Sequence, residues 1–87
     1  MVKKYAKKTA NILAIRYTGY NIDEVRDFVG AGNLQIAEND DHRKIFIVTE
    51  TGAVYALPGD YVAKDPNGEV LTYTKKVFDA YFKEVTE

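Results

Sequence analysis

The chain predicts an α+β domain built on a largely antiparallel sheet. Three observations carry this reading. A first strand runs into a well-marked amphipathic helix, a series of short alternating segments follows with turn signals between them, and a second amphipathic stretch closes the chain. The expected order is β-α-β-β-β-β-β-α, with about five to six short strands and both helices against one face of the sheet. Eighty-seven residues make a single domain over 1–87, one that buries roughly 60–65% of its unfolded surface.

Residues Met1 to Lys8 are basic, with one aromatic (Tyr5) and no periodicity. They read as a basic arm, either flexible or opening an edge strand. Thr9 to Thr18 alternates as the first strand, with Leu13, Ile15 and Tyr17 as its core face and Ile12, Ala14 and Arg16 opposite. Thr18-Gly19 breaks it. Asn21 then caps a helix: Glu24 stands three residues on, as in a capping box, and Tyr20 and Val25 hold the positions of a hydrophobic staple. Ile22, Val25, Phe28 and Val29 supply the apolar stripe, and Asp23, Glu24, Arg26 and Asp27 face water. Gly30 is the expected stop.

Leu34 to Ala37 forms a short strand and Glu38 to Arg43 a polar loop. Lys44 to Glu50 is a clear strand in which Ile45 and Ile47 oppose Phe46 and Val48. Thr51-Gly52 turns into Ala53 to Leu57. In Leu57-Pro58-Gly59-Asp60 proline presets φ and the adjacent glycine permits a positive value, so the segment turns again. Tyr61 to Lys64 is the next strand. Asp65-Pro66-Asn67-Gly68 places each residue where a type I turn with a bulge wants it, and Val70 to Tyr73 returns as a hairpin. Thr74 caps a last helix with Val77, Phe78, Tyr81, Phe82 and Val85 on one side.

Pro58-Gly59-Asp60-Tyr61, then Gly68-Glu69, then Phe78 with Tyr81, follow one another in an order that resembles the small PGDYI-type proteins of phages and prophages. Ala14-Ile15-Arg16-Tyr17-Thr18-Gly19 before a short helix is similar to that family's opening. The resemblance covers most of the chain, with a variable middle around Asn39 to Lys44, and Val62 stands where isoleucine is commoner. It implies a phage or prophage origin and a small α+β fold. It brings no catalytic residues to transfer.

There is no cysteine, so disulfides are excluded and a reducing compartment fits, the cytoplasm of a bacterial host in the light of the resemblance. The basic residues before Ile12-Leu13-Ala14-Ile15 do not make a signal peptide, because the apolar run is short and Arg16 interrupts it. No segment approaches the ~20 apolar residues of a membrane span, so no membrane association is expected. The net charge of −1 is unevenly spread: Lys3, Lys4, Lys7, Lys8 and Arg16 face no acid in the first sixteen residues, while the remainder holds seven basic and thirteen acidic residues.

Catalysis is not expected. Serine and cysteine are both absent, which removes the usual nucleophile arrangements, and the single histidine has no orienting partner. Gly30-Ala31-Gly32 follows a helix instead of opening one, so it is no phosphate loop. Asn39-Asp40-Asp41-His42 has metal-ligand chemistry but reads as a solvated loop, since adjacent residues rarely converge on one ion. No metal or cofactor is assigned. Pro58, Gly59, Asp60, Asp65, Pro66, Asn67 and Gly68 read as structural turn residues.

The remaining signals concern surfaces. Seven tyrosines are many for this length. Tyr17, Tyr61 and Tyr81 are expected to place their rings in the core. Tyr5, Tyr55 and Tyr73 are freer and are candidates for a protein interface. Lys3, Lys4, Lys7, Lys8, Arg16, Lys75 and Lys76 are candidates for anion or nucleic-acid contact, the last two at a helix N-terminus where anions bind. The expectation is a phage-encoded accessory protein that binds a protein partner, such as a host or defence factor, without catalysis. The alternatives are a nucleic-acid-binding module using these basic residues and a self-associating structural phage protein pairing through a sheet edge.

Overall fold

The computed structural model describes residues 2–7, 10–36, 43–50 and 52–84. Among these residues, eight strands and two α-helices follow in order: β1 (Lys3–Lys7), β2 (Ala10–Arg16), α1 (Ile22–Val29), β3 (Leu34–Ile36), β4 (Ile45–Thr49), β5 (Gly52–Ala56), β6 (Tyr61–Lys64), β7 (Val70–Tyr73), α2 (Lys75–Tyr81) and β8 (Lys83–Glu84). A single 3-10 turn over Ala31–Asn33 links α1 to β3. The class is α+β, a small compact domain with every strand pair antiparallel.

The strands form two sheets where the sequence suggests one. The larger has the order β7-β6-β2-β1-β8 and the smaller β3-β4-β5. The division falls at Leu57–Asp60. There the Asp60 amide donates to the Leu57 carbonyl at 2.9 Å, and Gly59 takes a φ of 100°, as the third position of a type II turn requires. The Gly59 amide donates to the Tyr17 carbonyl and the Tyr17 amide to the Asp60 carbonyl. Those two bonds start β6 alongside β2, so β6 leaves the β3-β4-β5 meander.

Residues Lys3–Lys7 are a strand, paired from Lys3 opposite Ala14 to Lys7 opposite Ala10. Of the two readings of this segment, a flexible arm or the start of an edge strand, the strand is the one formed over these residues. The two-residue β8 lies on its far side, with Ala6 opposite Lys83.

Both faces of the five-stranded sheet are covered, by different partners. On one face Ile15, Tyr17 and Val62 join Val25, Phe28 and Val29 of α1 and Leu34, Ile45, Ile47 and Ala56 of the smaller sheet. On the other, Ala14 and Ala63 lie under Phe78 and Phe82, with Ile12, Tyr61 and Tyr73 packed around them. The helices therefore lie on opposite faces, which corrects the expectation of one shared face. The period-2 alternation of β2 and β6 explains it: Ala14 and Ala63 point one way, Ile15 and Val62 the other. Small alanines let the rings of Phe78 and Phe82 sit close to the sheet. Leu13, expected in the core, is 46% exposed.

The last helix ends earlier than its apolar pattern suggests. Thr74 caps it, its hydroxyl accepting from the Val77 amide at 3.3 Å. Phe78 and Phe82 are buried, but Val77 and Tyr81 are exposed, so Tyr81 is not a core tyrosine. Val85 lies outside the described residues. The Phe78 ring stacks on Tyr61 at 4.0 Å and on Phe82 at 4.7 Å.

Helix α1 begins and ends where expected, and Val25, Phe28 and Val29 are buried. Its start works differently. Asn21 makes no side-chain cap bond. Its carboxamide oxygen accepts from the Thr18 amide and hydroxyl, and its nitrogen donates to the Arg16 carbonyl at 2.7 Å. Asn21 therefore ties the loop back to the end of β2. The staple also fails to form, since Tyr20 is 82% exposed.

Candidate protein-binding surface

Strand β4 alternates cleanly between a core face and a solvent face. Ile45 and Ile47 are fully buried, Phe46 is half-buried and Val48 is exposed. The register with β5 puts Tyr55 opposite Phe46 and Ala53 opposite Val48. Phe46, Val48 and Tyr55 thus share the outer face of the smaller sheet, with no other layer over it among the described residues. Lys44, just before β4, lays its Nζ 4.4 Å from the Tyr55 ring centre and 5.6 Å from that of Phe46. An ammonium over an aromatic face is attracted by the ring quadrupole while its stem covers apolar surface.

The preceding residue, Arg43, is the only described non-glycine residue with positive φ, at 58°. Several contacts hold it there. Its carbonyl accepts from the Tyr17 hydroxyl at 2.6 Å, its Nη1 donates to the Gly19 carbonyl at 3.1 Å, and its guanidinium lies 4.4 Å above the Tyr20 ring. Tyr17 is only 1% exposed. Burial pushes its phenol above the usual tyrosine value, an effect the Arg43 charge partly offsets. Gly19 makes the approach possible. A Cβ there would stand 3.1 Å from Pro58 Cγ and 3.3 Å from Arg43 Cδ, and the residue's φ is 89°. Consecutive cations, Arg43 and Lys44, are thus seated on two separate aromatic platforms.

The two turns behave as the sequence suggests. Asp60 Oδ2 accepts from the Leu57 amide, which closes the Pro58-Gly59 turn from the side-chain side. Asp65 Oδ1 accepts from the amides of Asn67 and Glu69, and its backbone pairs with Gly68 and Glu69. Pro66 and Asn67 form the tip, and Gly68 has a φ of 85°.

The three candidate interface tyrosines do not form one patch. Tyr55 is exposed on the outer face of the smaller sheet. Tyr73 packs into the opposite cluster, 5.2 Å from Phe82, where burial first, and then Asp65 and Glu69, raise its phenol above the usual value. Tyr5 lies in β1 opposite Ile12, and its side chain lies outside the described set.

The candidate basic residues are likewise dispersed. Lys3, Lys4 and Lys7 lie along β1, Lys8 falls outside the described residues, and Arg16 closes β2. Lys75 pairs with Asp79 one turn on, and Lys76 is exposed. Asn39 to His42 lie outside the described residues. Among those described, no group of three or more His, Cys, Asp or Glu is placed to hold a metal ion.

A cleft of about 770 Å³ lies between the end of α1, the β4–β5 turn and the Asp65–Gly68 turn. Its lysine, Lys64, is committed to the Phe28 carbonyl at 2.6 Å and lies 4.9 Å from the Phe28 ring. A cation at a helix C-terminus suits the helix dipole, so Lys64 secures α1 to β6.

Sequence reasoning missed Arg43, Lys44 and Tyr20. The alternation of Lys44 to Glu50 did separate Phe46 and Val48 from Ile45 and Ile47, so half the surface was visible. Comparison with protein-family models, with curated proteins and with solved structures finds no match for the chain. No helix among the described residues is long and apolar enough to cross a membrane.

Proposed function

We propose that the chain is a non-catalytic accessory protein that works by binding a protein partner through the outer face of β4 and β5. The observation that carries this is the exposed run of Val48 and Tyr55 beside half-buried Phe46. Small soluble domains place aromatic residues on an uncovered sheet face at a cost in solubility, and tyrosine is enriched where interfaces concentrate their energy. The resemblance of the Pro58-Gly59-Asp60-Tyr61 segment and its neighbours to small phage and prophage proteins supports a phage or prophage origin, with a host or defence factor as the natural class of partner.

The test is capture from a bacterial lysate with the tagged chain, with and without nuclease, read by mass spectrometry. A stoichiometric protein that survives nuclease is expected. Material recovered only in the absence of nuclease would overturn the reading in favour of nucleic acid.

A further inference from the structure

We infer that Arg43 and Lys44 form a docking site for an acidic segment of a protein partner, one that interleaves carboxylates with apolar side chains. This rests on the protein-binding reading above and names the partner's chemistry. The first support is charge. Neither cation has a carboxylate partner among the described residues, whereas Arg26 pairs with Asp23 and Lys75 with Asp79. Beyond residue 16 the chain holds thirteen acids against seven bases, so acids are plentiful, yet none described is used here. Two cations with no carboxylate partner among the described residues complement an acidic ligand.

The second support is preorganisation. Arg43 keeps a positive φ that a non-glycine residue adopts at a cost in free energy, and such residues concentrate at ligand clamps. The buried Tyr17 hydroxyl holds its carbonyl, and Gly19 and Tyr20 hold its guanidinium. Apart from the N–H on Gly19, the guanidinium donors have no hydrogen-bond partner among the described residues and can grip a carboxylate in the fork geometry that lysine cannot provide. Lys44 supplies a second charge over Tyr55, and Val48 offers an apolar contact on the same face.

The third support is scale. Two cations neutralise two phosphates, which gives a salt slope of only about −1.4 to −1.8. A short segment with two or more carboxylates matches what is present.

The test titrates the full chain, followed by amide NMR, with three probes of equal length: a peptide alternating glutamate with leucine, the same peptide with lysine for glutamate, and oligo-dT. The account expects the acidic peptide to shift Lys44, Phe46, Val48 and Tyr55. Arg43→Ala should weaken it about fivefold to tenfold, with only partial recovery in Arg43→Lys. Lys44→Ala, which removes the ammonium lying over the Tyr55 and Phe46 rings, repeats the test should Arg43→Ala perturb the fold. Absence of shifts with the acidic peptide, equal binding of the lysine peptide, or tighter oligo-dT binding at the same residues would each overturn the proposal. A captured protein partner lost in Tyr55→Asp yet retained in Arg43→Ala and Lys44→Ala would overturn it too, while leaving the protein-binding reading standing.

Discussion

Tyr17 shows how one buried side chain sets the geometry of an exposed one. Its hydroxyl is the anchor for Arg43, and burial holds the phenol in its neutral form. Because the folded value is raised, the contribution is fully present below the unfolded tyrosine value of about 10 and is lost as pH rises through the folded value. Tyr17→Phe should cost about 1 kcal/mol at neutral pH, the typical net worth of such a hydrogen bond. Thermal melts from pH 8 to 11.5 check the sign: wild type should lose stability more steeply above pH 10 than Tyr17→Phe. Parallel curves would mean that the phenol is not held neutral. Gly68 gives a cleaner backbone test. A Cβ there meets nothing within 4 Å, so any loss on substitution comes from its φ of 85° alone. Gly68→Val should destabilise by about 2 kcal/mol and Gly68→Asn by clearly less, since asparagine tolerates this region. Equal melting temperatures for the three proteins would contradict the hairpin geometry. Both glycine turns were legible in the sequence, because Pro-Gly and Pro-Asn-Gly specify local dihedrals. Arg43 was not, because its placement depends on Tyr17, 26 residues away.

At the scale of elements, the local signals read well and the partner of each element did not. Strands β6 and β7 and helix α1 fall where alternation and the Gly30 stop put them. Asn21 marks the right boundary by a different bond, serving the end of β2 in place of the helix amides. Helix α2 ends at Tyr81 although the apolar spacing continues, because Phe82 turns into the core and Lys83–Glu84 pairs with β1 instead. Its attachment rests on few residues. Phe78 is only 1% exposed between Tyr61 and Phe82, so Phe78→Ala should cost about 3–5 kcal/mol, a large share of the stability of a domain this small. Denaturant titration checks this. A loss under 1 kcal/mol would show that α2 is not seated on Ala14 and Ala63.

The molecule as a whole follows from β2 and β6 presenting a different apolar set on each face. That lets one five-stranded sheet carry α2 on one side and α1 with a second sheet on the other. The arrangement leaves the outer face of β4 and β5 without a covering layer among the described residues. Strand patterning exposed the two faces of β4. Which face meets the core depends on packing across the domain, which no local pattern contains. Two exposed tyrosines on opposite sides of the molecule make the functional account testable. Tyr55 lies on the proposed surface and is 53% exposed, while Tyr81 lies on α2 and is 66% exposed.

The most direct measurement is therefore capture from the lysate with wild type, Tyr55→Asp and Tyr81→Asp in parallel, each first shown to melt as wild type does. The nuclease-resistant partner should be lost with Tyr55→Asp and kept with Tyr81→Asp. Retention by Tyr55→Asp, or loss with Tyr81→Asp alone, would contradict it.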